Sequence, residues 1–189
     1  MAIPLAIALS LTTARGQDFP KSSLDLKGSL KSQWYSSQLR ALEEPSLYSL
    51  SKSTSAESYR FLWLRTFHHP IAIRLDPNPD GTSTVIVKVA SGAAGFRPGV
   101  LSEQRSQLVS KEQTQAFLKR VSELRFWDAS NPVNDQRGTD GSQWIIEGVR
   151  AGRYHVVDRW TPTKGVVREL GMILAFDLAK MDIPKDEIY

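Results

Sequence analysis

Two-residue alternation runs through the chain from Tyr59 onward and restricts it to folds that contain a β-sheet. Tyr59, Phe61, Trp63 and Phe67 alternate with Arg60, Leu62, Leu64 and Thr66. A period of two with apolar weight on both faces predicts a strand inside a sheet. After Pro70, Ile71, Ile73 and Leu75 face one way, and Ala72, Arg74 and Asp76 the other. Pro77-Asn-Pro-Asp-Gly81 is a strong turn signal, and residues 85–90 alternate again with Lys88 on the weaker face. These three segments predict an antiparallel meander. A glycine-rich loop, 91–99, then leads to a short polar strand around 101–109. The clearest hairpin pairs residues 143–149 with 153–160 across a turn near Ala151-Gly152.

Helical signals fall between these runs. Ser29 is placed to cap a helix over about 30–44, with Leu30, Trp34 and either Gln38 or Leu42 on one face, and Pro45 ends it. The serine-rich stretch 46–58 predicts a loop or a loose helical turn. Ser110-Lys-Glu-Gln113 has capping-box spacing and opens a helix to about Arg125, with Phe117, Val121 and Leu124 on one stripe. Thr161-Pro162 is a helix-start signal for a last helix that carries Val166, Leu170, Ile173, Leu174, Phe176 and Leu178, where Gly171 permits a close approach to the sheet. Helices grouped between runs of strands favour an α+β fold: an antiparallel sheet of about five to six strands with helices packed on it. The expected organisation is a signal peptide over 1–16, a polar lead-in with one helix over 17–58, and a single α+β domain over 59–183.

Residues 2–11 are apolar except for Pro4 and Ser10, and Ala14-x-Gly16 supplies the small residues that a signal peptidase requires. Cleavage before Gln17 is therefore expected, and with it a periplasmic or extracellular location. The run is about half of the ~20 residues that span a bilayer, so no membrane span is expected in the mature form. The chain has no cysteine, which rules out disulfides, thiolate metal sites and thiol nucleophiles. A net charge of +4 without a basic run does not point to nucleic acid.

The candidate catalytic residues lie on the last hairpin. With a three-residue, bulged turn, Glu147 lies opposite His155, and the carboxylate would orient and activate the imidazole as a general base. With an even turn, Glu147 faces Val156 and shares its side with Asp158, while His155 points the other way. Asp158, Arg159 and Trp160 end the strand. Arg153, Arg159 and Trp160, with Arg97 of the glycine-rich loop, are the candidate ligand-binding residues.

Asp76-Pro-Asn-Pro-Asp-Gly81 matches the first half of a calcium loop, but Val87 stands where a bidentate Glu belongs, and a β-turn is the simpler reading. His68-His69 point to opposite faces in a strand, so no metal and no cofactor is expected. The segments Tyr59-Arg-Phe-Leu-Trp-Leu-Arg65, Asp140-Gly-Ser-Gln-Trp-Ile-Ile-Glu147 and Tyr154-His-Val-Val-Asp-Arg-Trp160 resemble a family of bacterial exported proteins with no known activity. That resemblance implies a compartment and nothing further. The functional expectation is a non-enzymatic protein that binds a protein or small ligand. The alternative is a small periplasmic hydrolase that uses Glu147, His155 and Asp158. Mass spectrometry of the exported protein should find Gln17 at the mature N-terminus, and an intact Met1 or Ala2 would count against export.

Overall fold

The computed structural model describes residues 17–21, 23–24, 30–131, 138 and 140–189. Six strands form one antiparallel sheet in the order β4-β3-β2-β1-β5-β6. β1 (Glu57–Arg65), β2 (Ile71–Pro77), β3 (Ser83–Ala90) and β4 (Leu101–Val109) make the meander, and the hairpin β5 (Ser142–Arg150) and β6 (Arg153–Trp160) adds to the other edge of β1. The α+β expectation holds. The two-sided apolar pattern of β1 has its cause in this order: β1 is central, and Ser58 to Arg65 are all buried.

One face is an aromatic and aliphatic core. Tyr59, Phe61 and Trp63 of β1 meet Ile71, Ile73 and Leu75 of β2, and Trp144 and Ile146 of β5. Trp63 and Trp144 lie 4.9 Å apart between ring centroids and are fully buried. Truncation of such a side chain to alanine typically costs about 3–5 kcal/mol. α3 (Lys111–Glu123) and α4 (Val166–Met172) close this face through Phe117, Val121, Val167 and Leu170. The capping box of α3 forms as expected, with Ser110 and Gln113 each satisfying the other's backbone N–H. Gly171 does allow close approach, since a Cβ there would stand 2.7 Å from the Trp144 ring.

The last helix does not start at Thr161-Pro162. Thr161 is held in the sheet instead, donating its N–H to Ser142 O at 2.7 Å and accepting from Ser142 N at 3.0 Å. The helix starts at Val166, behind Gly165, whose φ of 90° is open to glycine. After Met172 it widens into a π-helical stretch, Ile173–Leu178.

On the other face, α1 (Leu30–Ala41) and α2 (Leu47–Leu50) lie over β1, β5 and β6. Ser29, the expected cap of α1, lies outside the described residues. The buried side of α1 is Lys31, Tyr35, Gln38 and Leu39, whereas Leu30 is 80% exposed. The expected Leu30–Trp34 face is thus rotated, because Lys31 is drawn inward to a buried carboxylate, Asp158. The helix ends three residues before the expected Glu44, where Glu43 adopts φ 51° and Glu44 N–H returns to Leu39 O at 2.9 Å. Phe19, Leu24, Leu42 and Leu47 are buried, so the polar lead-in packs into the core of the sheet. Over β4 this face stays open, with Gln104, Ser106 and Leu108 exposed.

The β5–β6 turn takes two residues, Ala151 (φ 50°) and Gly152 (φ 78°), the left-handed pair of a type I′ turn. Asparagine tolerates the first position better than alanine. Ala151→Asn should raise unfolding stability by about 0.5–1 kcal/mol. Urea denaturation checks this, and a midpoint equal to or below that of the natural chain would refute it.

Candidate functional site

The two-residue turn decides the fate of the hairpin candidates. Arg150 pairs with Arg153, so Glu147 stands opposite Val156, and His155 opposite Gly148. Glu147 and His155 therefore lie on opposite faces, and the general-base pair does not form. His155 approaches Ala129 O at 2.9 Å and packs edge-on to Phe126. Burial holds its pKa below the ordinary histidine value. Glu147 and Asp158 do share a face, each inside a network that α1 and the 43–45 turn seal from solvent.

That network follows from strand register. Arg60 of β1 stands directly opposite Arg74 of β2 and opposite Glu147 of β5. Lys88 of β3 joins the same face one step along, opposite Ala72. Two arginines opposite one another would repel. Glu44, presented by the left-handed turn after α1, resolves this. One carboxylate oxygen lies 3.2 Å from both Arg60 and Arg74, and the other 3.3 Å from Lys88. Lys88 also donates to Glu43 O, and Arg60 to Pro45 O, each at 2.7 Å. Arg60 completes its fork on Glu147 at 2.6 and 2.8 Å, and Tyr154 adds its hydroxyl to Glu147 at 2.9 Å.

Burial works against the Arg60 charge, but Glu147 and Glu44 outweigh it and hold its pKa above the ordinary value. Removing one partner of such a buried set leaves an uncompensated charge, typically at a cost of about 3–5 kcal/mol. Asp158 anchors the second half of the network, bonded by Tyr35 at 2.7 Å and Gln143 at 2.9 Å and paired with Lys31. The side chains of Arg60, Glu147, Glu44 and Asp158 are at most 1% exposed. These buried groups tie the lead-in to the sheet.

The candidate ligand-binding residues are dispersed. Arg153 donates to Trp127 O and lies over the Trp127 ring. Arg159 donates to Asp158 O and Ser130 O, both at 2.7 Å, along the outer edge of β6. Trp160 packs on Gly141, where a Cβ would stand 2.7 Å from its ring. Arg97 is exposed in the 91–99 loop. The calcium-like loop spends its carboxylates internally: Asp76 on Arg74 and Ser58, and Asp80 on Thr82. Among the described residues no group of three or more His, Asp and Glu is placed to hold a metal ion.

One solvent-facing feature was not legible in the sequence. The 91–99 loop folds back onto the β1–β2 turn, with Ala94 N–H donating to His68 O and Gly95 N–H to Thr66 O, both at 3.0 Å. A Cβ on Gly95 would meet Thr66 O at 2.8 Å, so this contact requires glycine. Ala94 O accepts from Trp34 and Gln38, which ties the loop to α1. The platform presents Phe67 and Phe96, 58% and 69% exposed, with ring centroids 6.2 Å apart, and the exposed Arg97 follows Phe96 in the chain. The hint in the sequence was Phe67 continuing the β1 alternation past the strand end.

Burial, then the Glu147 carboxylate, hold the Tyr154 phenol well above its ordinary pKa of about 10. Above that pH the unfolded chain loses the proton while the folded chain keeps it. Stability contributed below pH ~10 is therefore lost as pH rises. Tyr154→Phe should show a shallower loss of stability than the natural chain between pH ~9.5 and ~11 in denaturant titrations, and equal slopes would refute the assignment. Neither a protein-family model nor a curated protein matches the sequence at a significant level.

Proposed function

We propose that this protein is an exported, non-enzymatic binding protein whose contact surface centres on Phe67 and Phe96. The observation that carries this reading is the pair of aromatic rings held in solvent by a hydrogen-bonded loop. Exposed aromatic side chains on a rigid support lose little conformational freedom on association and serve as anchors in interfaces. The exposed Arg97, next in the chain to Phe96, offers a charged group to the same partner. The surface draws on loop 91–99, which carries Arg97, one of the candidate ligand-binding residues.

The binding reading is favoured over the acid–base alternative because His155 lies on the opposite face from the buried Glu147 and Asp158. Export rests on the apolar run and small-residue site at 1–16, which precede the described residues. No helix among the described residues is long and apolar enough to cross a membrane.

A Phe67→Ser/Phe96→Ser variant should keep its melting temperature within about 2 °C, because both rings lie outside the core. A photo-crosslinking residue at position 96 should yield a discrete adduct in envelope extracts, and one at exposed Lys119 on α3 should not. Adducts of equal yield at both positions, or none at position 96, would refute the surface.

A further inference from the structure

The closing segment of the chain lies in a cleft at the end of the aromatic face, distinct from the Phe67–Phe96 surface. The floor is Trp63 and Trp144, each covered by a cation: Arg65 lies 4.7 Å over Trp63, and Arg168 4.6 Å over Trp144. Glu187 places its carboxylate 2.7 Å from Arg65 Nη1 and 3.3 Å from His68 Nδ1. Two residues on, Tyr189 sets its ring edge-on to His68, centroids 6.1 Å apart. Its main-chain oxygen accepts from Trp144 Nε1 at 2.8 Å and from the Ser142 hydroxyl.

The fit is incomplete in a way that indicates what the cleft accepts. Arg65 is almost fully buried, yet its Nε, on the side of the guanidinium away from Nη1, has no hydrogen-bond partner. Trp63 Nε1 on the floor is also buried and unpartnered. Buried donors of this kind are ordinarily satisfied. Glu187, itself 32% exposed, reaches only Nη1. Nε and Trp63 Nε1 are left to donate to a further acceptor on a bound peptide.

We propose that this cleft recognises a short peptide folded as a single 3-10 turn and bearing a carboxylate two residues before an aromatic side chain, and that residues 184–189, with Lys185–Glu187 in such a turn, occupy it in cis. The cis segment shows the required chemistry: an acid for Arg65 and His68, an aromatic ring for the outer side of His68, and a main-chain acceptor for Ser142 and Trp144. Release of the segment opens the site to a partner in trans. The proposal goes beyond the contact surface above: His68 belongs to both, its main-chain oxygen to the loop platform and its ring to the cleft.

The probe is the acetylated hexapeptide with the sequence of residues 184–189. It is titrated into the full-length chain carrying Glu187→Gln and Tyr189→Ala, followed by calorimetry. Saturable binding is expected, about tenfold tighter than to the natural chain, whose own segment competes. A hexapeptide with Gln in place of its Glu should bind about tenfold more weakly, through loss of the charge-assisted bond to Arg65. Absence of saturation, or equal affinity for the two peptides, overturns the proposal. If the double variant does not fold, the natural chain serves. About a hundredfold excess of peptide should then move the Tyr189 amide resonance toward its random-coil position, and an unmoved resonance overturns the proposal. The Phe67→Ser/Phe96→Ser variant separates the two sites, since hexapeptide binding does not depend on that surface.

Discussion

Glu44 sits among three cations that the sheet brings together, and the relation of lead-in to sheet depends on it. Strand register alone sets Arg60 against Arg74, with Lys88 close by, on one buried face. A sheet with that face uncovered would keep these charges hydrated. Covered by α1, it needs a carboxylate at the centre, and the left-handed turn at Glu43 delivers one. The turn's own carbonyls take the remaining donors, so the chain is pinned there by backbone as well as by charge. Buried ion sets of this kind add little net stability over an apolar core, but they penalise any arrangement in which one member is missing. Here that penalty falls on any state in which the lead-in leaves the sheet.

The opposite face works by shape. Trp63, Trp144 and Phe61 stack across β1 and β5, and α4 settles on them because Gly171 carries no side chain. Gly148 plays the matching part under Phe126 and Tyr59. Both faces of β1 are thus buried for different reasons, one by interdigitated rings and one by matched charge. The solvent-facing features lie at the rims of this scaffold: the phenylalanine platform on one loop pair, and the closing segment in its cleft.

Much of the fold was legible because it rests on local rules. The strands announced themselves by alternation, the Pro77–Gly81 turn by its composition, and α3 by Ser110 and Gln113. The errors arose where a tertiary partner overrode a local preference. Thr161-Pro162 has the chemistry of a helix start, but Thr161 is used to tie β6 to Ser142. The apolar Leu30 faces water while Lys31 is buried, since Asp158 rewards the lysine more than the sheet rewards the leucine. The polar lead-in concealed its role because the stripe that α1 buries, Lys31, Tyr35, Gln38 and Leu39, is half polar, and because Glu44 and Leu47 lie beyond that helix.

The fold class, the strand positions and both possible alignments of the last hairpin can be read from the order of residues alone. They can be read there because side-chain period and turn residues are local properties of the chain. Only the tertiary structure chose between those alignments. One residue more or less in the turn moves His155 onto or off the face of Glu147, while pairing with β1 sets Glu147 opposite Arg60 and makes it a structural counter-ion. The same holds for Glu44, Arg65 and Phe96, whose partners lie at distant points of the chain. Charge balance and exposure are properties of the assembled surface, and no window of sequence contains them.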